Sequence, residues 1–512
     1  MSTQSYLIDT NIIIGLEDNH TVQPAYAKFS QLTARHKVDV FVHEAARDDY
    51  GRDKNADRRA ISLSKLDKFQ ILAKVKGLKE ATLEEAFGRL RKHNDIVDAT
   101  LLHALNIGAA DFLVTEDQGL HDRAQKHSAD LGNRVLFIAD ASQLLATTYE
   151  PRDVPIRHVV DVSAHTISLA DRFFDSLRDG YPEFNDWWKT KCVGERRPCW
   201  VVYDDDELAG LIVRKDETGA DTDATQKVGK ILKICTFKVS PEKRGVKLGE
   251  LLLKMVLWYA QKNAYDLAYL TAYPDQDALI ALLEFYGFRK TGTKGEAGEL
   301  ILERAFSRER LEPEPGVSIY DMDRMNYPRF ILGPDVRGFV IPIKEGYHDV
   351  LFPDLRNARQ PDMFQDLGTG ASPKRPGNTI RKVYICQSPS NLSDAGSVLF
   401  FYKGKSNDSP SQAFTAVGIL EEVSHATSTK DLVQLTGGRS VYSEAELVAF
   451  GATPENPYKV INYLLVDYID PPISLAVLED LGILTSHPQA ISELKDGRFG
   501  DALRRSNLGF AL

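Results

Sequence analysis

The stretch from Asn94 to Leu120, NDIVDATLLHALNIGAADFLVTEDQGL, constrains the fold more than any other part of the chain. Apolar residues recur in its first half at three- and four-residue steps, which predicts a helix capped by Asn94 or Asp95. After a glycine stop, the apolar run 112–114 predicts a short strand that leads into an acidic loop. Ligands of open α/β sheets bind at the carboxyl ends of the strands. The stretch therefore predicts an α/β unit with carboxylates at its ligand-binding edge.

Two more predicted strands, near the start of the chain, also end in acids. The first runs into Asp9, and the second, residues 38–42, is followed by a histidine and Glu44. With Asp98 in the first turn of the helix and Asp117 after the strand, four acids from separate elements are predicted to converge. Two like unit charges about 4 Å apart repel by roughly 4 kcal/mol at an effective dielectric of 20, so such a cluster predicts a bound cation. Oxygen ligands without a nearby cysteine favour Mg²⁺ or Mn²⁺ over zinc.

In these features residues 1–148 resemble a PIN domain, the fold of metal-dependent ribonucleases that includes many toxin components. The segments that carry the resemblance are, in chain order, IDTN at 8–11, Glu44, VDATLLHAL at 97–105 and LVTEDQGL at 113–120. The resemblance implies that the four acids bind the metal and catalyse hydrolysis of a phosphodiester, with Asn11 and Thr115 as supports. It also allows an antitoxin protein as a partner and a homodimer as the assembly.

The sequence leaves alternatives open around this predicted site. Asp95 either caps the helix or takes the role of Asp98, and Glu44 is either a ligand or a surface residue. The charged run 47–68 predicts either a basic arm that holds an RNA backbone or a solvated helix of mixed charge. The basic residues that would contact phosphate are Arg58, Arg59 and Lys65 in that run, and Arg89, Arg91 and Lys92 before the helix.

A second predicted unit, residues 156–305, contains a strand, a turn and a helix in a pattern that suits an anion. The strand 234–239 leads into a turn of proline, glycine and basic residues, and an apolar-faced helix begins at Gly249. Backbone N–H groups and the helix dipole converge on one point at such a helix start, which is where phosphates bind.

This region resembles the GNAT acetyltransferases, whose pyrophosphate loop reads R-x-x-G-x-G. The matching residues, which the resemblance assigns with Val239 to acetyl-CoA binding, are Arg244, Gly245, Val246, Lys247, Leu248 and Gly249. Lys247 stands where the motif has its first glycine. In the later FYGF segment, the resemblance implies that Tyr286 donates a proton to the departing CoA thiolate. The alternative is a packed aromatic residue. The acetyl acceptor has no signature in the sequence, although Trp187 and Trp188 are candidates to line its site.

The third predicted unit, residues 318–512, is rich in short strands separated by turns, which predicts a small barrel. The segments 397–404, 416–423 and 438–447 weakly resemble PUA-like domains of the ASCH type, many of which bind RNA. In that resemblance RNA would contact Lys403, Arg439 and Tyr442 by charge and by stacking. The alternative places the neighbouring aromatic residues, Phe400 and Phe401, in the core.

Composition constrains the partners and the cellular compartment of the protein. The net charge of −10 argues against a generally basic nucleic-acid coat, while a local basic groove stays compatible with it. Four cysteines without a C-x-x-C pair, no long apolar run and no signal-peptide pattern predict a cytoplasmic protein that does not contact a membrane.

The sequence as a whole predicts a multidomain α/β protein with a PIN-like parallel domain, a GNAT domain and a PUA-like barrel. Its predicted function is an Mg²⁺- or Mn²⁺-dependent ribonuclease with a fused acetyl-CoA-dependent N-acetyltransferase and an RNA-binding module. Two alternatives remain. One is an acetyltransferase of RNA or protein with a non-catalytic PIN domain, and the other is an RNA-binding regulatory scaffold.

Overall fold

The structure is a computed structural model of the 512-residue chain, and its described residues form two compact units. Residues outside the description are 1–3, 18–23, 52–55, 73–74, 76, 150–158, 205–206, 241–246, 297, 358–378, 408, 437–438, 440–441, 443 and 511–512. The first unit takes its described residues from Met1–Asp153 and Ser424–Val460. The second takes them from Val154–Ser240, Lys247–Val423 and Ile461–Leu512. The predicted second and third domains thus share one unit, and part of the third joins the first.

The amino-terminal part of the first unit alternates short strands with helices. Its elements are β1 Ser5–Ile8, α1 Thr10–Glu17, α2 Pro24–His36, β2 Asp39–Val42, α3 Glu44–Gly51, α4 Ala56–Leu66, β3 Gln70–Ile71, α5 Glu80–Phe87, α6 His93–Asn106, β4 Phe112–Val114, α7 Gln118–His127, α8 Ala129–Arg134, β5 Val135–Leu136 and α9 Ile138–Tyr149.

These five strands form a parallel sheet in the order β3-β2-β1-β4-β5. Helices cover both faces, because successive residues of β1 point into different cores: Tyr6 and Ile8 into one, Leu7 into the other. The strand order reverses between β1 and β4. In open α/β sheets the crevice outside the carboxyl ends of the strands at this reversal is the ligand site.

The second unit begins with a seven-stranded sheet and its helices. Its elements are β6 Val159–Ser163, the 3₁₀ turns Ala164–Thr166 and Arg172–Phe174, α10 Asp175–Gly180, α11 Phe184–Trp187, the π-helical segment Trp188–Val193, β7 Pro198–Asp204, β8 Glu207–Glu217, β9 Ile231–Val239, α12 Leu248–Lys262, β10 Leu267–Ala272, α13 Asp277–Phe285, β11 Arg289–Lys294 and β12 Glu299–Ala305. The strand order is β11-β12-β10-β9-β8-β7-β6, and β9 and β10 run parallel while their neighbours pair antiparallel.

The remaining elements form a six-stranded sheet and its connections. They are α14 Ile319–Met325, β13 Gly338–Ile343, α15 Glu345–Leu351, α16 Asp354–Asn357, β14 Arg381–Cys386, β15 Val398–Lys403, β16 Ala413–Ala426, α17 Thr429–Thr436, α18 Glu444–Phe450, β17 Tyr458–Ser474, α19 Leu475–Asp480, β18 Ser492–Glu493 and α20 Arg498–Ser506. The order is β14-β17-β16-β15-β13-β18, a sheet with two ends where a barrel was predicted. Phe400 and Phe401 are fully buried, so the core interpretation of these two residues is confirmed.

Helices α17 and α18 lie in the connection between β16 and β17 but belong to the first unit. Lys430 of α17 forms a 3.0 Å ion pair with Asp111, the residue before β4, and Gln434 hydrogen-bonds the same carboxylate. Leu432 is fully buried, and Val433 packs against the core on one face of the five-stranded sheet. The first unit is therefore completed by a helical insert from far along the chain.

In the part of the chain that the structure describes, every helix is too short or too polar to cross a membrane.

Candidate functional site

The parallel strands β9 and β10 separate toward their carboxyl ends. Their register pairs Leu267–Tyr269 of β10 with Ile231–Lys233 of β9, and pairing stops there. β9 continues to Val239 along β8, and β10 continues to Ala272 along β12. The sheet thus opens between two neighbouring strands at the edge where α/β proteins bind ligands.

Helix α12 begins directly after this opening. Lys247, its N-cap, has a left-handed backbone with φ 60° and ψ 16°. The first intrahelical bond runs from the Leu251 N–H to the Lys247 carbonyl, so earlier N–H groups of the first turn have no partner within the helix. These donors and the helix dipole suit a phosphate-bearing ligand. Lys247 has a left-handed backbone conformation, which glycine adopts without steric strain. Of the other predicted loop residues, Arg244, Gly245 and Val246 lie outside the described residues.

Gly249 and Glu250 show how the start of α12 is built. A Cβ on Gly249 would lie 3.2 Å from Leu282 Cδ2 of α13, so a larger side chain there must move its neighbour or the ligand space. Glu250 is buried, and its Oε1 accepts a 2.7 Å hydrogen bond from the Arg381 N–H of β14. That bond holds the Glu250 carboxylate against the six-stranded sheet. The predicted residues Leu248 and Gly249 are therefore at the start of a helix whose first N–H groups can bind an anion.

Tyr286 follows α13 and is 1% exposed. Its ring lies 5.0 Å from that of Phe285 and 5.9 Å from that of Tyr327. The next residue, Gly287, has φ +86°, and a Cβ there would come within 2.1 Å of the Met325 carbonyl oxygen. Close packing against α14 therefore accounts for the FYGF segment, and these surroundings match the packed-aromatic alternative.

The adjacent tryptophans also contribute to packing. Trp188 is 1% exposed in a core with Phe174 and Cys192. Trp187 is partly buried against the same core, and the Arg197 guanidinium lies 5.8 Å from its ring centroid. Of the two predicted acceptor-lining residues, Trp188 is placed in the interior.

In the first unit, Asp9 stands at the end of β1, at the reversal of strand order. Its Oδ1 accepts hydrogen bonds from the Thr10 N–H at 2.6 Å and the Thr10 hydroxyl at 3.2 Å. Its Oδ2 accepts from Asn11 Nδ2 and from the Thr115 hydroxyl, both at 2.7 Å. Asn11 and Thr115 thus support this carboxylate. Thr10, which the sequence interpretation missed, was signalled by its place directly after the strand-end acid.

Asp98 and Asp117 complete a group of three acids with Asp9. Burial, then the charges of Asp117 and Asp9, raise the pKa of Asp98 to about 7, and Arg123 opposes the shift. Asp117 is the N-cap of α7, where its Oδ1 accepts a 3.2 Å hydrogen bond from the Leu120 N–H. The structure therefore brings Asp9, Asp98 and Asp117 into electrostatic contact at the predicted edge.

The other two candidate acids have different roles. Asp95 accepts hydrogen bonds from the Arg91 and Lys92 N–H groups at 2.6 and 2.9 Å, which lower its pKa, and forms a 3.5 Å ion pair with Arg123. It is a helix cap, and Asp98 is the acid that faces the group. Glu44 is the exposed first residue of α3 and is not among the charges that act most strongly on Asp98. It follows β2, which pairs directly with β1, and its meeting with the other three acids stays a prediction.

The predicted Mg²⁺ or Mn²⁺ site does not fit the arrangement of these carboxylates. An ionised carboxylate has about four lone-pair positions, and Asp9 already accepts four hydrogen bonds from the protein. Within the described residues, no group of three or more His, Cys, Asp or Glu side chains is placed to hold a metal ion. A cation between Asp9, Asp98 and Asp117 would have to displace at least one of the donors to Asp9.

The residues predicted to contact RNA are largely engaged within the protein. Lys403 is 3% exposed, with its Nζ 2.9 Å from Asp349 Oδ1. Tyr442 is buried with its ring 5.2 Å from that of Phe450, and Arg439 Nε donates to Asn133 Oδ1 at 3.0 Å. These three side chains pack in the interior or between elements, so the structure does not place them on an exposed surface.

The basic residues of the first unit are placed differently. Arg89, Arg91 and Lys92 are exposed beside the start of α6, while Arg59 and Lys65 on α4 are half-buried. The side chain of Arg58 lies outside the described residues.

Comparison with known proteins identifies one part of the chain. Residues 163–288 match the model of the acetyltransferase (GNAT) family, which spans the opening between β9 and β10 and the start of α12. Similar solved structures include PaiA N-acetyltransferase from Thermoplasma acidophilum in complex with coenzyme A, with 15% identity and a TM-score of 0.24 over 30% of this chain and 100% of that chain. They also include Naa50 from Arabidopsis thaliana in complex with the bisubstrate analogue CoA-Ac-MVNAL, with 16% identity and a TM-score of 0.21 over 29% of this chain and 99% of that chain. A GNAT family acetyltransferase from Elizabethkingia anophelis with acetyl-CoA bound shows 17% identity and a TM-score of 0.22 over 29% of this chain and 98% of that chain. No curated protein matches the chain.

Residues 163–288 therefore match the GNAT acetyltransferase family, within a larger mixed α/β protein. The match does not extend to the five-stranded or the six-stranded sheet.

Proposed function

We propose that this protein is an acetyl-CoA-dependent acetyltransferase whose reaction takes place at the opening between β9 and β10. The observation that carries the proposal is the coincidence of the family match with this geometry. Residues 163–288 include both the diverging parallel strands and the helix start that offers N–H donors to a phosphate.

The backbone can position the coenzyme without charged side chains. The N–H groups at the start of α12 would hold its diphosphate. Among the described residues, no strand pairs with the edge of β9 beyond Lys233 on the β10 side, so this edge can accept the amide-containing arm of the coenzyme as an added strand. Val239 ends that edge, which supports the cofactor-binding role that the resemblance assigns to it.

Acetyl transfer needs an oriented thioester and an amine with a free lone pair. The amine nitrogen forms a bond to the acetyl carbonyl carbon while the carbon–sulfur bond breaks. The sulfur leaves as the thiolate of CoA and takes up one proton. A primary ammonium acceptor gives up one proton before attack and a second after it, so the reaction releases one net proton. The opened sheet would hold the thioester and the amine next to each other. This makes the reaction effectively intramolecular and so lowers its activation free energy.

Calorimetric titration of the full chain with CoA tests the proposal. Wild type is expected to bind CoA, and Gly249→Trp is expected to lose binding because its side chain fills the space at the start of α12. Gly333→Trp is the matched control, since a Cβ at Gly333 meets nothing within 4 Å. Melting temperatures of both variants check folding. Absence of CoA binding by the wild-type protein would contradict the proposal.

A second candidate function, a ribonuclease, is favoured by one observation: the charges of Asp9 and Asp117 act on Asp98 at the strand-order reversal of the first unit. A metal-dependent reaction there requires the metal ion to displace at least one hydrogen-bond donor to Asp9. Groups of like charge with shifted pKa values occur most often at functional sites. The antitoxin partner and the homodimer belong to this candidate. Its test is cleavage of total RNA with Mg²⁺ or Mn²⁺ by wild type, Asp9→Asn and Asp98→Asn, with Asp95→Asn as the control that removes a helix cap. Cleavage that survives EDTA or both test substitutions excludes this function.

A further inference from the structure

Four polar residues line one side of helix α12 and form what we call its polar stripe. They recur at every fourth position, and residues four apart on a helix lie on the same face: Glu250, Lys254, Trp258 and Lys262. Glu250 and Lys254, at the start of the stripe, are both buried. Buried polar and charged groups need bonding partners in the protein. The partners of the stripe therefore show what holds α12 in place.

Each residue of the polar stripe bonds a residue beyond position 318, outside the part of the chain that matches the GNAT family. The bonds are, from the start of the helix, Glu250 Oε1 with the Arg381 N–H at 2.7 Å, Lys254 Nζ with Asp354 Oδ2 at 2.9 Å, Trp258 Nε1 with the Tyr327 hydroxyl at 2.6 Å and Lys262 Nζ with Asp467 Oδ1 at 2.8 Å. Arg381 lies on β14 and Asp467 on β17. The six-stranded sheet and the elements beside it thus hold α12 along its length.

The backbone at Arg381 is a fixed point of attachment, because the side chain of the same residue is also held. Its Nε donates to Glu421 Oε2 of β16 at 3.0 Å, and its Nη2 donates to the other oxygen of that carboxylate at 2.5 Å. Both residues are buried. A two-pronged pair of this kind has a defined geometry, and breaking it in the interior is strongly destabilising. The N–H group that binds Glu250 therefore keeps a defined position.

The bond to Arg381 acts on the part of α12 that would bind the coenzyme. Glu250 is the third residue of the helix, in the turn whose N–H groups suit an anion. The orientation of this turn decides whether those N–H groups point at one place. A displacement of about 1 Å at a binding group can weaken its action greatly. Fixing Glu250 to β14 therefore fixes the direction of the anion-binding donors.

We propose that Glu250 is a positioning residue for CoA and that the six-stranded sheet, through Arg381, sets the orientation of the coenzyme site. This inference rests on the proposed acetyltransferase function and identifies what aligns its coenzyme site. Glu250 acts as a hydrogen-bond acceptor of the correct length, and its charge is secondary. The six-stranded sheet is then a working part of the enzyme.

Calorimetric titration of the full chain with CoA tests the inference in two matched variants. Glu250→Gln keeps an oxygen acceptor of the same reach but loses the charge, and Glu250→Asp keeps the charge but is one methylene shorter. We expect Glu250→Gln to bind CoA within about threefold of wild type and Glu250→Asp to bind it about tenfold more weakly. Lys262→Met is the control, because it breaks the last bond of the polar stripe, about three turns from the helix start. It is expected to keep CoA affinity within about twofold.

The outcomes separate this inference from the function on which it rests. Wild-type CoA affinity in Glu250→Asp, even with a lower melting temperature, would show that the bond only stabilises the fold and would overturn the inference. A tenfold loss in Glu250→Gln would assign the effect to charge and also overturn it, and this result decides alone if Glu250→Asp does not fold. An equal loss in Lys262→Met would show a general effect of loosening α12 and contradict the special role of Glu250. Absence of CoA binding in wild type overturns the acetyltransferase proposal itself.

Discussion

Lys247 shows at a single residue how this chain departs from the loop that it resembles. Its backbone is left-handed, with φ 60°, at the place where the motif has glycine. For a residue with a Cβ this conformation costs roughly 1–2 kcal/mol in the folded state. Glycine avoids this strain, but its greater freedom in the unfolded chain cancels part of the gain in stability. The sequence showed the substitution, but only the structure shows that the position requires a left-handed backbone.

Comparing Lys247→Gly with Lys247→Ala isolates this strain, because both variants remove the same lysine side chain. We expect the glycine variant to be more stable than the alanine variant by roughly 0.5–1 kcal/mol in its free energy of unfolding. Urea denaturation of the two proteins measures the difference. Equal stability, or a more stable alanine variant, would show that the backbone at Lys247 is not strained.

Asp98 is predicted to make stability depend on pH. Its pKa is raised to about 7 in the folded protein from 3.8. The folded state therefore holds this proton more tightly than the unfolded state. The contribution of Asp98 is fully favourable below about pH 4 and is lost as the pH rises through about 7, with a slope of at most about 1.4 kcal/mol per pH unit.

Asp98→Asn should remove this contribution to the slope. At pH 8 in EDTA, we expect the variant to be more stable than wild type by roughly 2 kcal/mol, and at pH 4 the gain should vanish. Denaturant unfolding at both pH values measures it, with Asp95→Asn as a control that should lose stability instead. A gain that does not change between pH 4 and pH 8 would contradict the burial of a charged Asp98.

Tyr286 provides a third test at this scale. Because its ring is buried against Phe285 and Tyr327, we expect Tyr286→Phe to keep acetyltransferase activity within about threefold of wild type. Tyr286→Ala should cost about 3–5 kcal/mol of stability through lost packing. Steady-state rates and melting curves measure both effects. A hundredfold loss of kcat in a folded Tyr286→Phe protein would support the proton-donor role instead.

At the scale of elements, local patterns predicted much of what the structure shows. The strand at 112–114 and the helix that includes Asp98 follow from apolar periodicity and a glycine stop, and β9 and α12 follow the predicted strand–turn–helix order. The order of the strands shows the limit of this reasoning. The position of Glu44 after β2 was readable, but the pairing of β2 with β1 is a long-range contact, which a local pattern does not encode.

Contacts between distant residues were missed for the same reason. The rings of Tyr181 and Tyr273 stack with centroids 5.4 Å apart, although the two residues are 92 positions apart in the sequence and neither belongs to a spaced motif.

At the scale of the whole molecule, the helical insert of α17 and α18 changes how the chain is divided. Lys430 and Gln434 bind Asp111 before β4, and Arg439 binds Asn133 before β5, so the insert covers residues that precede two strands of the first sheet. Sequence boundaries at 148 and 318 could not reveal this, because the insert is distant in the chain from the residues that it contacts.

A protease site placed within residues 150–158 tests the insert. After cleavage, we expect the amino-terminal fragment to remain bound to the rest of the chain through α17, because Leu432 is fully buried and Lys430 is paired. Size-exclusion chromatography of the cleaved protein measures this. Leu432→Asp, which buries a charge in that contact, should release the fragment, while Val448→Asp on an exposed position should not. Release from the cleaved wild type would contradict the first unit as described.

The central claim is that the opened seven-stranded sheet transfers an acetyl group from CoA to an amine. The most direct measurement is the release of CoA thiol from acetyl-CoA by the full chain with 1,4-diaminobutane, together with mass spectrometry of the diamine. Thiol and acetylated diamine are predicted to appear in equal amounts, and both should be lost in Gly249→Trp but kept in Gly333→Trp. Thiol release without acetylated amine, or equal turnover by wild type and Gly249→Trp, would contradict the claim.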